Sequence, residues 1–323
     1  MIHQEGVLPA GYQAALTGSA YYVWENPGFL RISGADRKAF LQRQTTNDIQ
    51  MLKPTGCLVT VLTNPAARIL DVLIVLDESE NLLGITLPGH SGATHHYLQS
   101  RIFFNDQVTV VDASQEMALI DLLGLGVVDL LTHLGIDRAP KENEVSLLTI
   151  NGIAVQVIHQ HGLGNRMVCQ IGQVGDVLTA LEQSGATRLP YDTWDIIRIE
   201  AGIPVGGQEL TSEYTPLETS LGWAVSDSKG CYTGQEVIAR QLTYDKVTRN
   251  LAGVRMEIRA QSGENLYSPE EDRQVGMITS AAVSPRLGPL ALAILRRPFA
   301  DPGSRLALGK HNGPIATVVS LPF

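Results

Sequence analysis

Short apolar stretches alternate with polar turns along most of the chain. Residues 57–62 and 68–76 are rich in β-branched and apolar side chains, and Asn64-Pro65 between them predicts a turn joining two strands. Residues 145–150 and 153–158 flank Asn151-Gly152, a strong hairpin signal. Helical spacing of apolar positions predicts helices at residues 37–46, 90–103, 174–183 and 193–201. Strands and helices mixed with hairpins, without regular βαβ repeats, indicate an α+β class.

The pattern changes beyond Asp245. Short apolar stretches there are separated by Gly and Pro turns, and almost no helical spacing is found; they lie at residues 251–258, 275–280, 290–296 and 315–321. This pattern predicts a small antiparallel barrel at the end of the chain.

One carboxylate interrupts an apolar strand face. In the strand predicted over residues 68–76, alternation places Asp71 between Ile69 and Leu73. A buried carboxylate needs a partner or has a raised pKa. Two interpretations follow: a salt bridge to Arg31 or Arg68, or a functional proton acceptor or ligand anchor.

A second carboxylate lies at the end of the helix predicted over residues 193–201. Asp192 is a plausible N-cap of this helix. Glu200 lies at its C-terminal end, where the helix dipole disfavours negative charge, so its side chain needs hydrogen-bond donors. One interpretation is a surface Glu200 paired with Arg198 or another cation, and the other is a pterin or guanidine edge with two parallel donors.

The segment Lys229-Gly230-Cys231-Tyr232-Thr233-Gly234-Gln235-Glu236 carries the densest local signal. Thr233 and Glu236 have the spacing of a capping box, which predicts a glycine-rich loop that leads into a helix. Lys229, Arg240 and the helix N-terminus would favour an anion or the Cys231 thiolate. The alternative is a tight turn with a half-buried cysteine.

Composition restricts the functions considered. The 323 residues carry a net charge of −9, which argues against direct nucleic-acid binding. No signal peptide or membrane span is expected, so the chain is predicted to be soluble and cytoplasmic. Cys57, Cys169 and Cys231 are too dispersed for a zinc site or an ordinary four-cysteine cluster. The adjacent His95 and His96 are a poor metal pair, so no metal site is predicted.

Several motifs resemble those of one superfamily. Residues 229–236 resemble the signature of the YgfZ-type folate-binding proteins, which are relatives of the glycine cleavage T-protein, an aminomethyltransferase. Residues 40–49, 198–209 and 215–223 resemble three further motifs of that superfamily, and residues 276–280 resemble its C-terminal barrel. In T-proteins, a Gly-x-x-x-Asp motif is followed directly by a second aspartate. In this sequence Asp71 matches the first aspartate, Ala67 replaces the glycine and Val72 replaces the second aspartate.

The resemblance implies two α+β modules, the first interrupted by the second, followed by a C-terminal antiparallel β-barrel. The expected boundaries are 1–48 for the first part of the first module, 49–112 for the second module, 113–244 for the rest of the first, and 245–323 for the barrel. A central opening would bind tetrahydrofolate or a one-carbon derivative.

The resemblance also implies roles for individual residues. Glu200 would orient the pterin, and Asp71 would contact the N5/N10 side. Cys231 would act as a thiol near the ligand or a partner, with Lys229 and Arg240 supporting an anionic tail or the thiolate.

Three functions remain open at this level. The first is a tetrahydrofolate-dependent role in assembly or repair of iron–sulfur clusters, with iron–sulfur client or assembly proteins as partners and indirect effects on tRNA modification. The second is an aminomethyl or one-carbon transferase with Asp71 as the acid/base group, so both Asp71 and Cys231 are catalytic candidates. The third is a binding module without turnover.

Overall fold

The computed structural model describes residues 8–136, 138, 140–160 and 164–323. The helices in these residues are α1 Ala10–Thr17, α2 Arg37–Gln44, α3 Ser91–Gln99, α4 Val127–His133, α5 Val174–Gln183, α6 Tyr191–Glu200 and α7 Gln235–Thr243. The strands are β1 Ala20–Val23, β2 Gly28–Ser33, β3 Cys57–Thr63, β4 Ile69–Asp77, β5 Asn81–Thr86, β6 Thr109–Asp112, β7 Met117–Leu123, β8 Val145–Ile150, β9 Ile153–Gln160, β10 Gly164–Gln170, β11 Thr187–Arg188, β12 Arg249–Met256, β13 Asn265–Tyr267, β14 Gln274–Ser284, β15 Gly288–Arg296, β16 Arg305–Leu308 and β17 Ile315–Val319.

The strands form two open sheets and one barrel. The first sheet has the order β11-β1-β7-β10-β9-β8, and the second has the order β3-β4-β5-β2-β6. The closed barrel has the order β12-β15-β14-β13-β16-β17, and every pairing in it is antiparallel. The predicted α+β class, with two α+β modules and a C-terminal barrel, is confirmed.

The hairpin predicted at Asn151-Gly152 is present between β8 and β9. Both turn residues have positive φ, 51° for Asn151 and 85° for Gly152, as a two-residue primed turn requires.

The two sheets pack against each other and carry helices on their outer faces. Side chains of both sheets meet in one apolar cluster, in which Phe29 and Ile74 of the second sheet join Leu119 and Val168 of the first. Helices α4 and α5 cover the outer face of the first sheet, and α2 and α3 cover that of the second. The result is a helix–sheet–sheet–helix arrangement beside the barrel, whose interior has its own core.

One predicted boundary is corrected. Residues 1–48 were assigned to the first module, but β2 pairs with β5 and β6 of the second sheet. Helix α2 also packs on that sheet through Phe40 and Leu41. The chain therefore leaves the first module between Val23 and Gly28, because a strand belongs to the sheet that satisfies its backbone hydrogen bonds.

A buried ion pair between α6 and the loop after it is bound to the barrel through Ser280. The Arg198 guanidinium, whose side chain is 1% exposed, lies 3.1 Å from the Glu209 carboxylate, which is 0% exposed. The Ser280 hydroxyl of β14 donates to Glu209 at 2.6 Å and accepts from Arg198 at 2.8 Å. Val205 N–H donates to the same carboxylate at 3.1 Å, so the loop after α6 is held in place as well.

This cluster yields a stability prediction. Glu209→Gln leaves Arg198 buried with only the partly exposed Asp195 as counter-charge, and we expect a loss of about 3 kcal/mol in the free energy of unfolding. Urea denaturation measures it. Asp245→Asn removes the carboxylate of an exposed pair with Arg297 and is expected to change nothing measurable. Equal losses of stability in Glu209→Gln and Asp245→Asn would contradict the conclusion that the buried pair of Arg198 and Glu209 matters more for stability than an exposed pair.

Candidate functional site

A cavity of about 640 Å³ lies where the two sheets, the loop after α6 and the C-terminal segment meet. Its apolar walls come from both sheets and from two loops: Val59, Val72, Ile74, Ile85, Leu119, Ile203, Val205, Leu210 and Leu221. Its volume falls in the range of small-molecule sites, about 300–1,000 Å³. A mainly apolar cavity with few polar groups binds ring systems and uses those polar groups to orient them.

Arg166 is the cationic side chain in the cavity wall. Its Nε lies 2.7 Å from the Asp121 carboxylate, and the two side chains are 13% and 1% exposed. Trp194 Nε1–H donates to the same carboxylate at 3.0 Å. A guanidinium has five N–H donors, and Asp121 is its acceptor in the described part of the chain, so Arg166 retains donors for a ligand.

Aromatic rings line the cavity beside Arg166. The Trp24 and Trp194 ring centroids lie 4.8 Å apart, and the Arg166 guanidinium lies 5.8 Å from the Trp24 ring. The Trp24 Nε1–H is buried and has no hydrogen-bond acceptor among the described residues. A buried N–H without an acceptor costs free energy, and this N–H has almost no accessible surface, so it is not a donor that faces the cavity.

Asp71 lies behind the cavity wall. The residue is 0% exposed, and Thr94 Oγ1–H donates to its Oδ2 at 2.5 Å. Its Oδ1 accepts from Val72 N at 2.8 Å and from Leu87 N at 2.9 Å. Burial raises the pKa of Asp71 to about 6 despite these hydrogen bonds. Val72 and Leu87 line the cavity, so the carboxylate holds two wall residues by their backbone.

The salt bridge considered for Asp71 is not formed. Arg31 pairs with Glu116 at 3.0 Å, and Arg68 lies 3.4 Å from Glu218. The predicted burial of Asp71 on an apolar strand face is correct, and hydrogen-bond donors take the place of a cation.

Glu200 is turned toward the N-terminal helix and the barrel. Tyr12 O–H donates to its carboxylate at 2.5 Å, and Arg286 lies 3.5 Å away. The following residues, Ala201 and Gly202, line the cavity, whereas Glu200 does not. Arg198, the partner considered for a surface Glu200, is buried and binds Glu209 instead. The donors that Glu200 needs are therefore supplied by protein, and its predicted contact with a pterin stays a prediction. Helix α6 begins at Tyr191, before the predicted cap Asp192.

Lys229 fastens the signature segment, residues 229–236, to the second module. Its ammonium donates to the carbonyls of Thr45 and Asn47, both at 2.7 Å, and lies 5.0 Å from the Tyr232 ring centroid. Burial lowers the pKa of Lys229 to about 8, although Asp48 acts in the opposite direction. The ammonium faces backbone carbonyls, and its predicted support of an anionic tail or thiolate stays a prediction.

The start of α7 also differs from the prediction. The helix begins at Gln235, its N-cap is Gly234, and no side chain caps it, so the Thr233–Glu236 capping box is absent. Gly234 has a φ of 87°, and a Cβ there would lie 2.8 Å from the Asn64 carbonyl oxygen. Thr63 Oγ1–H donates to the Thr233 carbonyl at 2.7 Å. The close approach to the β3–β4 turn thus explains the glycine. A capping box does form at Thr215 and Glu218.

Within the signature segment Tyr232 is buried, whereas Cys231 faces outward, as does Arg240 on helix α7. Cys231 and Arg240 are exposed and do not line the cavity. Cys57 and Cys169 are buried, and burial raises the pKa of each thiol to about 11. The structure therefore does not bring Asp71, Glu200, Lys229, Cys231 and Arg240 together around one ligand.

The described residues contain no cluster of His, Cys, Asp and Glu that could hold a metal ion. In the same residues, no helix is long and apolar enough to cross a membrane.

Two α+β modules with a cavity between their sheets, followed by an antiparallel barrel, define the class of protein, and comparison with known proteins identifies the family. Residues 24–229 match the GCVT N-terminal domain, and residues 249–323 match the glycine cleavage T-protein C-terminal barrel domain. The chain belongs to the glycine cleavage T-protein family.

Individual relatives cover nearly the whole chain. An aminomethyltransferase of Desulforamulus reducens is 26% identical over 100% of this chain and 91% of its own length. An aminomethyltransferase of Synechococcus sp. is 25% identical over 98% of this chain and 90% of its own length. The crystal structure of the glycine cleavage system aminomethyltransferase T of Bartonella henselae superposes with a TM-score of 0.85 at 20% identity, covering 97% of this chain and 88% of that one, which supports the fold.

Sequence reasoning missed the polar groups of the cavity. Arg166 and Trp24 lie in different parts of the first module, and β10 and β7 bring Arg166 opposite Asp121. A signal was present, since Asp121 interrupts the apolar stretch 117–123 and so required a buried partner.

The raised pKa of Asp71 yields a prediction. In Asp71→Asn, the amide oxygen can accept from Val72 and Leu87, and the amide N–H can donate to Thr94. The folded wild type binds a proton near pH 6, above the ordinary range of an unfolded carboxyl, so its stability relative to the variant should fall as pH rises from 4 to 7. The expected change is about 2–3 kcal/mol, since each pKa unit is worth about 1.4 kcal/mol.

Thermal or urea unfolding of the two proteins at several pH values between 4 and 7 measures this difference. A stability difference that does not vary with pH would show that Asp71 does not titrate in this range.

Proposed function

We propose that this chain binds a reduced folate in the central cavity and acts as a folate-dependent one-carbon transferase of the T-protein type. The observation that carries the proposal is the cavity of about 640 Å³ at the junction of the modules, with ring-binding walls and few polar groups. The aminomethyltransferases that match over nearly the whole chain support the reaction class.

The wall residues fit a folate. The pterin and aminobenzoyl rings are flat and apolar on their faces, which suits Trp24, Trp194 and the aliphatic walls. Arg166 is a donor, so it would bind an acceptor group such as the pterin carbonyl oxygen or a carboxylate. A reduced folate carries one-carbon units on its N5 and N10 nitrogens.

The chain's own residues provide binding, orientation and exclusion of water. Asp71 keeps Leu87 in the cavity wall through its backbone N–H, and Arg198 and Glu209 keep Val205 there. Use of Asp71 as an acid/base group stays a prediction, and its pKa near 6 is suited to accepting a proton at neutral pH.

Calorimetric titration of tetrahydrofolate tests the binding site. The variant Arg166→Gln/Asp121→Asn removes both charges of the pair, so no buried carboxylate is left uncompensated. We expect it to weaken folate binding about tenfold or more, because hydrogen bonds to a charged group contribute about 1.5–3 kcal/mol. The single variant Asp121→Asn removes the ion pair but keeps Arg166, so it shows how much of the change in folate affinity comes from loss of the pair alone.

Glu200→Gln is the matched comparison, because its amide oxygen can still accept from Tyr12. We expect it to change the folate dissociation constant less than about twofold. Loss of binding in Glu200→Gln with binding kept in the double variant would place the pterin at Glu200. No binding to the wild type would overturn the folate proposal.

A second candidate function is assembly or repair of iron–sulfur clusters with client or assembly proteins. The observation that favours it is the exposure of Cys231 on a segment that Lys229 and Gly234 hold rigidly against the second module. With Cys57 and Cys169 buried, Cys231 is the thiol that a partner could reach.

Cys231→Ser tests this role, since serine keeps the size of the side chain and removes the thiol. In a host with a cluster-assembly defect that the wild type corrects, we expect the variant to fail, with tetrahydrofolate affinity and thermal stability unchanged. Cys169→Ser on the same background controls for general loss of a thiol. Full complementation by Cys231→Ser would remove this role.

A further inference from the structure

Two Asn-Gly sequences occur in the chain, Asn151-Gly152 and Asn312-Gly313, and the structure holds them very differently. Asn151 and Gly152 form the exposed turn between β8 and β9, with φ values of 51° and 85°. Among the described residues, the Gly152 N–H donates no hydrogen bond, and no atom beyond its chain neighbours lies within 4 Å of the position of a Cβ. The backbone nitrogen that follows the Asn151 side chain is therefore accessible.

The second Asn-Gly sequence lies in a closely packed turn of the barrel. The Gly313 N–H donates to the Lys310 carbonyl at 2.8 Å, and the Leu308 N–H donates to the Pro314 carbonyl at 2.9 Å. A Cβ at Gly313 would lie 1.9 Å from the Leu308 carbonyl oxygen, so the backbone packs directly against this glycine. The Gly313 nitrogen can move only if a hydrogen bond breaks, whereas the Gly152 nitrogen has no hydrogen bond to lose.

We propose that Asn151 is a site of spontaneous deamidation and isoaspartate formation in the folded protein. The Gly152 backbone nitrogen loses its proton to hydroxide and attacks Cγ of the Asn151 side chain. The bond between Cγ and the side-chain nitrogen breaks, and this nitrogen takes a proton from water and leaves as ammonia. The product is a five-membered succinimide. Glycine favours the attack because it has no Cβ beside the attacking nitrogen.

Water then opens the succinimide at one of its two carbonyl carbons. Cleavage of the bond between the ring nitrogen and Cγ gives aspartate, and cleavage at the main-chain carbonyl carbon gives isoaspartate. In isoaspartate the main chain runs through the former side chain, which adds a methylene group to the backbone. Either product carries a negative charge that Asn151 lacks.

The position of the turn allows the ring to form without disturbing the core. Succinimide formation requires the peptide between Asn151 and Gly152 to rotate, and both residues are exposed. Opening of an exposed hairpin tip costs little free energy compared with global unfolding. The flanking Ile150 and Ile153 pair with each other and are buried in the core of the first module, so the strands keep their register while the turn opens.

The two products differ in their effect on the hairpin. Asp-Gly is as suitable as Asn-Gly for a two-residue primed turn, so aspartate should leave the pairing of β8 and β9 intact. Isoaspartate lengthens the backbone of a turn that has no spare length. Strand β8 is the last strand of the first sheet, with β9 as its strand partner in the described part of the chain. Isoaspartate therefore loosens β8, whose Leu148 and Ile150 belong to the core.

Peptide mapping of the aged protein tests the proposal. The full chain is incubated in neutral and in mildly alkaline buffer, and mass spectrometry of its peptides follows deamidation at Asn151 and Asn312. Protein-isoaspartate methyltransferase with labelled S-adenosylmethionine then identifies isoaspartate. We expect Asn151 to deamidate about tenfold or more faster than Asn312, because the folded barrel turn adds to the barrier at Asn312. Deamidation of Asn151 should also be faster in the alkaline buffer.

Three controls separate the effect of the fold from that of the sequence. In urea, Asn151 and Asn312 should react at similar rates, because neither turn is then formed. Asn151→Gly keeps a Gly-Gly pair, which also forms a primed turn, and should abolish the mass change and the methylation at this turn. Freshly prepared Asn151→Asp represents the aspartate product, and hydrogen exchange should show weaker protection of β8 in the aged wild type than in this variant.

Two outcomes would overturn the proposal. The first is an Asn151 side chain that stays amidated in the folded protein while it deamidates in urea. The second is an equal rate at Asn151 and Asn312 in the folded protein, since the fold would then not direct the reaction. Neither outcome depends on tetrahydrofolate, so failure of this proposal and failure of the proposed function are distinguishable.

Discussion

The buried pair of Arg198 and Glu209 is the interaction on which the arrangement of the modules depends. Two charges withdrawn from water are costly unless each finds donors or acceptors, and here Ser280 and the Val205 N–H complete the set. These groups come from helix α6, from the loop that walls the cavity and from the barrel. The cluster thus holds one wall of the cavity, the loop that carries Val205, against helix α6 and the barrel.

The signature segment, residues 229–236, likewise joins two parts of the structure through buried contacts. Its lysine, Lys229, binds the carbonyls of Thr45 and Asn47, and Gly234 allows the chain to lie against the Asn64 carbonyl. Two motifs that are far apart in sequence, residues 40–49 and 229–236, are therefore two sides of one contact. A motif can be dense in charged and small residues because it docks onto another module. The exposed Cys231 and Arg240 remain available to a partner.

The fold could be predicted from the sequence to a large extent, because strands, hairpins and barrel depend on local patterns. The Asn151-Gly152 hairpin needs only residues that tolerate positive φ, and the burial of Asp71 follows from strand alternation. The site could not be predicted in the same way. The orientation of the Glu200 side chain depends on its hydrogen bond with Tyr12. The role of Arg166 depends on the strand pairing that places it opposite Asp121. Both are contacts across long sequence separations, which no local pattern encodes.

The polarity of the cavity wall limits what can be recognised in it. Arg166 offers donors, while Asp121 is already engaged by Arg166 and Trp194. The Asp71 carboxylate lies behind Leu87 and is saturated by its own donors. A ligand that turns an acceptor edge toward Arg166 would gain charge-assisted hydrogen bonds there, whereas a donor edge in the same orientation would be left without a partner. This asymmetry favours one orientation of a ring with a carbonyl on one side and amino groups on the other, so the cavity can select a face of its ligand without a carboxylate of its own.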